Sequence, residues 1–516
     1  MIVLRKPIHY LPAPHSSPRS FQWWNARLLA HCLILAGVVV LSYFGMWRAY
    51  FATLDDFGIT GWVRRQDTLW AALQGYGSGV RFFNYIPLRL KTDFFGVDAS
   101  LYLWSSLVQY LLLTWLVYGL ALVLWQGHRK ALLTGLLFAI TYSHYEVVTY
   151  VSASDYTLWA SVYLVVLLCF AGYLHWAKFR RSRWGLYWAA VLLYLILAFA
   201  HDFSLSLPLV LMAYHLTVGC AGRPLQSLTW RDIRVHLPFW GIWAIHVSLQ
   251  LQLILAGTSE AVYSDNLYRP GLHMLGNLRY LIFLIVPNMR IAPIQNFLLA
   301  QLNGEIVTGL WTLSMLLGGL MHVGLLWLFW RGSPVVRFAV ALIYLPFFQY
   351  TLWQGNFIEA PRYLLLPSIG YNLLLTTGIL AFANVAYRHR TFRAAAVLLV
   401  LLPLYIITNV GVIQVWVQQH IENGEFRRAF VTELATRYGH ITAQQKIWIE
   451  VPKAKYLDLA AACQLVYGYY VPCSAFVTGE SAPERIDPAL ARDRLYWLRA
   501  TETGIEQIIP STDTAK

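Results

Sequence analysis

Charge is scarce in this chain of 516 residues: only 12% are Asp, Glu, Lys or Arg, where a soluble domain carries roughly 25%. Hydrophobic residues reach 58%, and several apolar runs exceed the roughly 20 residues that a helix needs to cross a bilayer. An ordinary soluble enzyme is therefore excluded. Acidic residues are the scarcer sign, 25 against 39 basic, for a net charge of +14. A basic surface for nucleic acid needs cations and aromatics interleaved outside the apolar runs, and no such groove is visible. The cations sit instead in short connectors, with Trp and Tyr near the run ends, as in inside-facing loops and interfacial belts. Nucleic acid is not an expected partner; membrane lipid is. No cleavable signal peptide is expected. Residues 1–28 are polar and basic, with Pro7, Pro12, Pro14 and Pro18, and the first apolar run is long enough to stay as an anchor. No internal repeat or low-complexity tract is present. Cysteine is sparse, five in all. Cys32, Cys169 and Cys220 lie in or beside apolar runs. Cys463 and Cys473 lie near the C-terminus, either bridged in an oxidising compartment or packed as two small core residues.

What is present reads as an all-α polytopic membrane protein of about eleven transmembrane helices. They are expected at 29–51, 103–125, 131–148, 157–177, 184–201, 204–220, 237–256, 306–330, 335–354, 362–384 and 394–415. Five connectors are strongly basic: Gly127 to Lys130, Lys178 to Arg183, Arg223 to Arg234, Arg331 to Arg337 and Arg388 to Arg393. The positive-inside rule puts all five in the cytoplasm, and consecutive ones must then be separated by an even number of crossings. Between Arg234 and Arg331 lies a third apolar patch, 278–299, broken by Pro287, Arg290 and Pro293. A crossing there breaks the parity, so it reads as an interfacial or re-entrant segment. The expected organisation is a cytoplasmic segment 1–28, a transmembrane domain 29–415 with outer loops 52–102 and 257–305, and a small extracytoplasmic α/β domain 416–516. In that domain Lys446 to Val451 alternates like a strand and 425–437 has helical spacing. The location expected is a plasma or inner cell membrane.

Ionisable residues collect at the outer span ends. Asp55 and Asp56 directly follow the first span. Two adjacent carboxylates at a membrane boundary are expensive to desolvate, which suits a general base with a helper; a solvated helix terminus is the alternative. The stretch from Ser143 to Val148, then Ser154 and Asp155, offers His144, Glu146 and Asp155 as weak candidates for a divalent metal, or simply a polar turn. His201 and Asp202 are wedged between two spans, where Asp202 is a site residue or a helix cap. Arg362, in Glu359-Ala360-Pro361-Arg362-Tyr363, opens an outer span. Its planar fork suits a phosphate oxyanion, with an anchor paired to Glu359 as the alternative. Arg64, Arg65, Arg81, Arg89 and Lys91 place cations on an outer loop against the topological bias, facing anionic lipid or substrate. His215, His246 and His322 read as packed, hydrogen-bonded histidines rather than a proton relay.

At these residues the chain resembles the GT-C-type glycosyltransferases, in the flavour of protein O-mannosyltransferases, transmembrane-tetratricopeptide mannosyltransferases and their bacterial relatives. The resemblance spans about residues 30–415 and is carried by motifs in order. An acidic pair, Asp55-Asp56, follows the first span. Ile86-Pro87-Leu88 to Phe95-Gly96-Val97-Asp98 resembles the end of the first outer loop. His144-Tyr145-Glu146-Val147-Val148 with Val151-Ser152 resembles the His-x-Glu segment. His201-Asp202 to Leu207-Pro208-Leu209 stands where a Lys-Glu is usual, and Glu359 to Gly370 resembles the family's Arg-Tyr-Leu stretch. The Pro before the His-x-Glu segment, the Asp-x-Asp of the second outer loop and the tetratricopeptide repeats are absent, so metal, donor sugar and acceptor stay open. The resemblance implies inverting transfer from a polyprenyl-phosphate sugar donor. Asp55 and Asp56 would be catalytic, and Arg362, Arg81, His201, Asp202, Glu146 and Asp155 would bind substrate and phosphate. Rival readings are a lipid or glycan transporter and a non-catalytic subunit of a membrane assembly.

Overall fold

In lipid only a helix or a closed barrel satisfies its own backbone polar groups, and the described parts of the apolar stretches marked above fall largely on helix. A computed structural model describes residues 26–51, 54–65, 68, 81–175, 180–220, 229–255, 271–289, 292–352, 360–389, 392–438, 446–451, 466, 473–477, 495–500 and 505–507. The chain opens with α1 (Ala26–Ser42), α2 (Leu54–Arg65) and α3 (Ile86–Phe95). The bundle continues through α4 (Ala99–Trp125), α5 (His128–Ala139), α6 (Tyr145–Thr149), α7 (Asp155–His175), α8 (Arg180–Ala198) and α9 (Leu207–Tyr214). It is completed by α10 (Trp230–Arg234), α11 (Leu237–Leu255), α12 (His273–Asn277), α13 (Ala292–Gln301), α14 (Gly304–Arg331), α15 (Pro334–Phe348), α16 (Leu365–His389) and α17 (Phe392–Arg437).

Among the described residues seven segments are singly long and apolar enough to cross a membrane. An eighth arises if α5 and Tyr142–Thr149, bent by 58°, count as one span. α1 and the Arg183–Ala198 part of α8 are apolar but shorter. Side chains set several helix starts. Asp98 accepts from the Ser100 N–H at 3.0 Å before α4, and Asn303 accepts from the Ile306 N–H at 2.9 Å before α14. Ser333 caps α15, with Pro334 in its first turn.

The patch at 278–299 does not form a single span. Leu278–Leu284 is a short 3₁₀ helix, about 14 Å long at roughly 2 Å per residue, against a hydrocarbon core of roughly 30 Å. It lies buried against α14, where a Cβ on Gly318 would stand 2.7 Å from the Arg279 carbonyl oxygen. The Tyr142 hydroxyl donates to the carbonyls of Phe283 and, at 2.8 Å, Val286, holding the patch to the bend before α6.

The boundary expected at 415/416 falls inside a helix. α17 runs unbroken for 46 residues, with Pro403 inside it, and the helical spacing seen at 425–437 is its far end. A four-stranded sheet follows in the order β2-β1-β3-β4, with β1 (Lys446–Val451), β2 (Cys473–Val477), β3 (Leu495–Ala500) and β4 (Ile505–Gln507). β1 is parallel to β2 and β3, and β3 is antiparallel to β4. The sheet is tied to α17 by the Ile505 N–H, which donates to Glu433 Oε2 at 2.6 Å. Cys463, and with it the bridge to Cys473, lies outside the described residues.

The two ends of the bundle differ in chemistry. At one end the α4/α5, α7/α8 and α14/α15 junctions carry basic connectors, and histidines pair there. Tyr118 Oη lies 3.1 Å from His31 Nδ1 and 3.0 Å from His128 Nδ1, and His215 Nδ1 lies 2.9 Å from His236 Nε2. The opposite end carries ion pairs.

Candidate functional site

Four short segments, each interrupting or opening a helix, bring charge to that opposite end. The first link joins the bend after α5 to the start of α16. Glu146, in the five-residue α6, accepts from the Arg362 backbone N–H at 3.0 Å through Oε2, while its Oε1 pairs with the Arg362 guanidinium. Arg362 sits in the 3₁₀ turn Pro361–Leu364, with its guanidinium 5.2 Å from the centre of the Tyr363 ring. Glu359 lies outside the described residues; the partner shown for Arg362 is Glu146.

The second link fixes α2. Asp55 and Asp56 fall in its first turn. Asp56 is fully buried and accepts from the Ser152 N–H at 2.7 Å. The side chain of Asp55 lies outside the described residues, as do those of Arg64 and Arg65.

The third link is a buried ammonium. Lys91 of α3 donates to Ser154 Oγ and to Asp155 Oδ1, both at 2.9 Å. The fourth joins the exit of the first loop to the α8–α9 turn. Arg81 Nε donates to Asp202 Oδ1 at 3.0 Å and its Nη2 pairs with the other carboxylate oxygen. The Phe83 N–H donates to the Phe199 carbonyl at 3.0 Å, which brings the Arg81 segment to the end of α8. Arg89 is spent on structure: it pairs with Asp93 and donates to the Val63 carbonyl at 3.1 Å, holding α3 to α2.

Aromatic rings fill the space between these pairs. His201 stacks on Phe203 at 4.1 Å and meets Tyr156 edge-on at 4.3 Å. Burial first, then the charges of Arg81 and Arg362, hold the His201 imidazole well below its ordinary pKa and keep it neutral. Tyr150 stands at a junction of charge, within reach of Glu146, Asp56, Arg362 and Arg427; burial dominates and raises its hydroxyl pKa.

The metal candidates do not converge. His144 is fully buried, with Nδ1 at 2.7 Å from the Tyr110 hydroxyl and Nε2 at 2.7 Å from the Ser368 hydroxyl. Both ring nitrogens are thus engaged by packing, while Glu146 turns to Arg362 and Asp155 to Lys91. Among the described residues no group of three His, Cys, Asp or Glu side chains is placed to hold a metal. His215 and His322 are hydrogen-bonded, His322 to Tyr344 at 2.6 Å, as expected. His246 departs from expectation: it is buried, and among the described residues neither ring nitrogen has a hydrogen-bond partner.

α17 brings residues that the sequence reading assigned to a separate domain. Trp416 stacks on Tyr145 at 4.1 Å, His420 lies 5.2 Å from Tyr150, and Arg427 donates to the Phe51 carbonyl at 3.2 Å. The apolar helical spacing continuing past residue 415 was the signal available for them.

No family model matches the chain, and no curated protein matches it. Among solved structures it is similar to ArnT from Cupriavidus metallidurans bound to undecaprenyl phosphate, at 14% identity and a TM-score of 0.44, over 86% of this chain and 89% of that one. It is similar also to the apo state of that protein, at 14% identity and a TM-score of 0.42, over 88% of this chain and 86% of that one.

Proposed function

We propose that this chain is a membrane glycosyltransferase that moves a sugar from a polyprenyl-phosphate donor to an acceptor hydroxyl, with inversion. The observation that carries this reading is the gathering, at one end of the bundle, of two arginine–carboxylate pairs beside the turn that opens with Asp55 and Asp56. A transporter is expected to place its ionisable groups near mid-span; here the arginine–carboxylate pairs gather with Asp56 at one end of the bundle.

In the proposed reaction the acceptor oxygen attacks the anomeric carbon as Asp55 takes its proton. The bond from that carbon to the phosphate oxygen breaks, and polyprenyl phosphate leaves with the electron pair. Asp56, spent on the Ser152 N–H, positions α2 and so positions Asp55. General base catalysis of this kind contributes roughly 10²–10⁴-fold. Growing charge on the leaving phosphate is met by Arg362 and Arg81, whose planar forks can exchange a carboxylate for a phosphate. His201 stays neutral between them and adds no third positive charge.

The membrane would be the cell or inner membrane, with the basic end cytoplasmic and the site end and the sheet outside. The test is turnover of a polyprenyl-phosphate-linked sugar by the purified protein. Asp55→Asn is expected to abolish transfer while thermal stability stays at the wild-type value. Undiminished turnover in that variant removes Asp55 from the role of base.

A further inference from the structure

The helix face that carries Trp416 and His420 holds polar atoms with nothing to bind. Among the described residues Trp416 Nε1 and His420 Nε2 are both buried and without a hydrogen-bond partner, as is Gln419 Oε1 in the same turn. A buried donor or acceptor left unpaired is destabilising, and native structures carry few of them. Three of the seventeen such atoms among the described residues fall within this one turn of α17. Trp416 and His420 are four residues apart and share a face, with ring centres 5.4 Å apart. Tyr150 closes on both, 5.2 Å from His420 and 6.2 Å from Trp416.

Position decides what such a cluster would take. In the transfer proposed above, the sugar lies between the base that activates the acceptor and the cation that receives the phosphate. Trp416 stacks at 4.1 Å on Tyr145, the neighbour of the Glu146 that pairs with Arg362, and Tyr150 lies two residues before Ser152, whose N–H donates to Asp56, so the cluster adjoins both functions. Trp416, His420 and Tyr150 combine aromatic faces with polar edges. That suits a pyranose ring, which presents apolar C–H faces and hydroxyl edges.

We infer that Trp416 and His420, with Tyr150, form the subsite for the transferred hexopyranosyl group, the indole N–H and imidazole Nε2 hydrogen-bonding its hydroxyls. This rests on the glycosyltransferase reading and deepens it: these residues would discriminate the sugar, not the lipid.

The test uses the full-length protein in nanodiscs and one polyprenyl phosphate of fixed chain length, either bare or carrying glucose, mannose or galactose. The wild type is expected to bind at least one glycosylated lipid more tightly than the bare one. Trp416→Phe keeps a ring and removes the N–H. It should lower that ratio by about fivefold, the scale of one neutral hydrogen bond, with the affinity for bare lipid unchanged. His420→Phe should do the same, and His420→Gln, which retains a polar edge, should recover part of the ratio. Equal ratios in wild type and variants overturn the subsite, as does a wild type that treats all three sugars like bare lipid. An equal fall in bare-lipid affinity also overturns it, by placing these groups on the phosphate. If no protein binds bare polyprenyl phosphate, the glycosyltransferase reading itself falls, and that result is distinct from the others.

Discussion

Arg362 and Glu146 are joined twice, through the guanidinium and through the Arg362 backbone N–H, which donates to Glu146 Oε2 at 3.0 Å. The second bond matters because it does not depend on the arginine side chain. One carboxylate both holds the guanidinium and fixes the turn that opens α16.

The two bonds predict unequal variants. Arg362→Lys keeps the backbone bond and the charge but loses the fork, so the protein should fold normally with weakened donor binding. Glu146→Ala removes both bonds and leaves a largely buried guanidinium unpaired, which should cost about 3 kcal/mol of stability. Thermal unfolding beside donor binding separates the two; wild-type donor affinity in Arg362→Lys reduces Arg362 to an interfacial anchor.

Lys91 and Asp155 form a pair buried on both sides. Removing one partner of such a pair strands a charge, whereas replacing both by apolar residues is often neutral. Lys91→Met should therefore destabilise strongly, and Lys91→Met with Asp155→Leu should regain most of the loss. A double variant no more stable than the single one would mean that the pair also carries structure through Ser154 Oγ, to which Lys91 donates at 2.9 Å.

His201 sets a pH response. Its pKa in the folded protein lies well below the ordinary value, through burial and then the Arg81 and Arg362 charges. The unfolded chain thus binds the proton first. The contribution of His201 to stability is complete above its unfolded pKa of about 6.5 and is lost as pH falls below it. His201→Gln should flatten the acid side of a Tm-against-pH curve below about pH 6.5. Parallel curves for the two proteins would contradict this.

Charge parity predicts that 257–305 and 416–516 lie on one side of the membrane, opposite the Lys178–Arg183 connector. Arg290→Cys and His440→Cys should both react with an impermeant thiol reagent added outside intact cells. Reaction at one position alone would mean that the 278–299 region crosses the membrane.

The short 3₁₀ helix at Leu278–Leu284 and the unbroken α17 are two places where composition and backbone can be compared. Pro287 and Arg290 signalled that the first patch is not a plain span, because proline removes a helical hydrogen bond and a charge is costly in lipid. α17 carries no such break near residue 415. The fall in hydropathy there read as a domain boundary because composition can change along a helix whose backbone stays continuous.

Apolar period and length determined by themselves that this chain is a helical membrane bundle, since a helix in lipid closes its hydrogen bonds within one segment. Residue type and position at span ends singled out Asp56, Glu146, Asp155, Asp202 and Arg362. Which carboxylate meets which cation was decided only in three dimensions. Glu146 reaches Arg362 across 216 positions and Arg81 reaches Asp202 across 121. Pairings at that separation depend on how the helices pack, and an uncommitted carboxylate looks the same in sequence as a committed one. For the same reason His144 read only as a weak metal candidate or part of a polar turn: that Tyr110 and Ser368 take up its two ring nitrogens is a fact about α4 and α16 standing on either side of it.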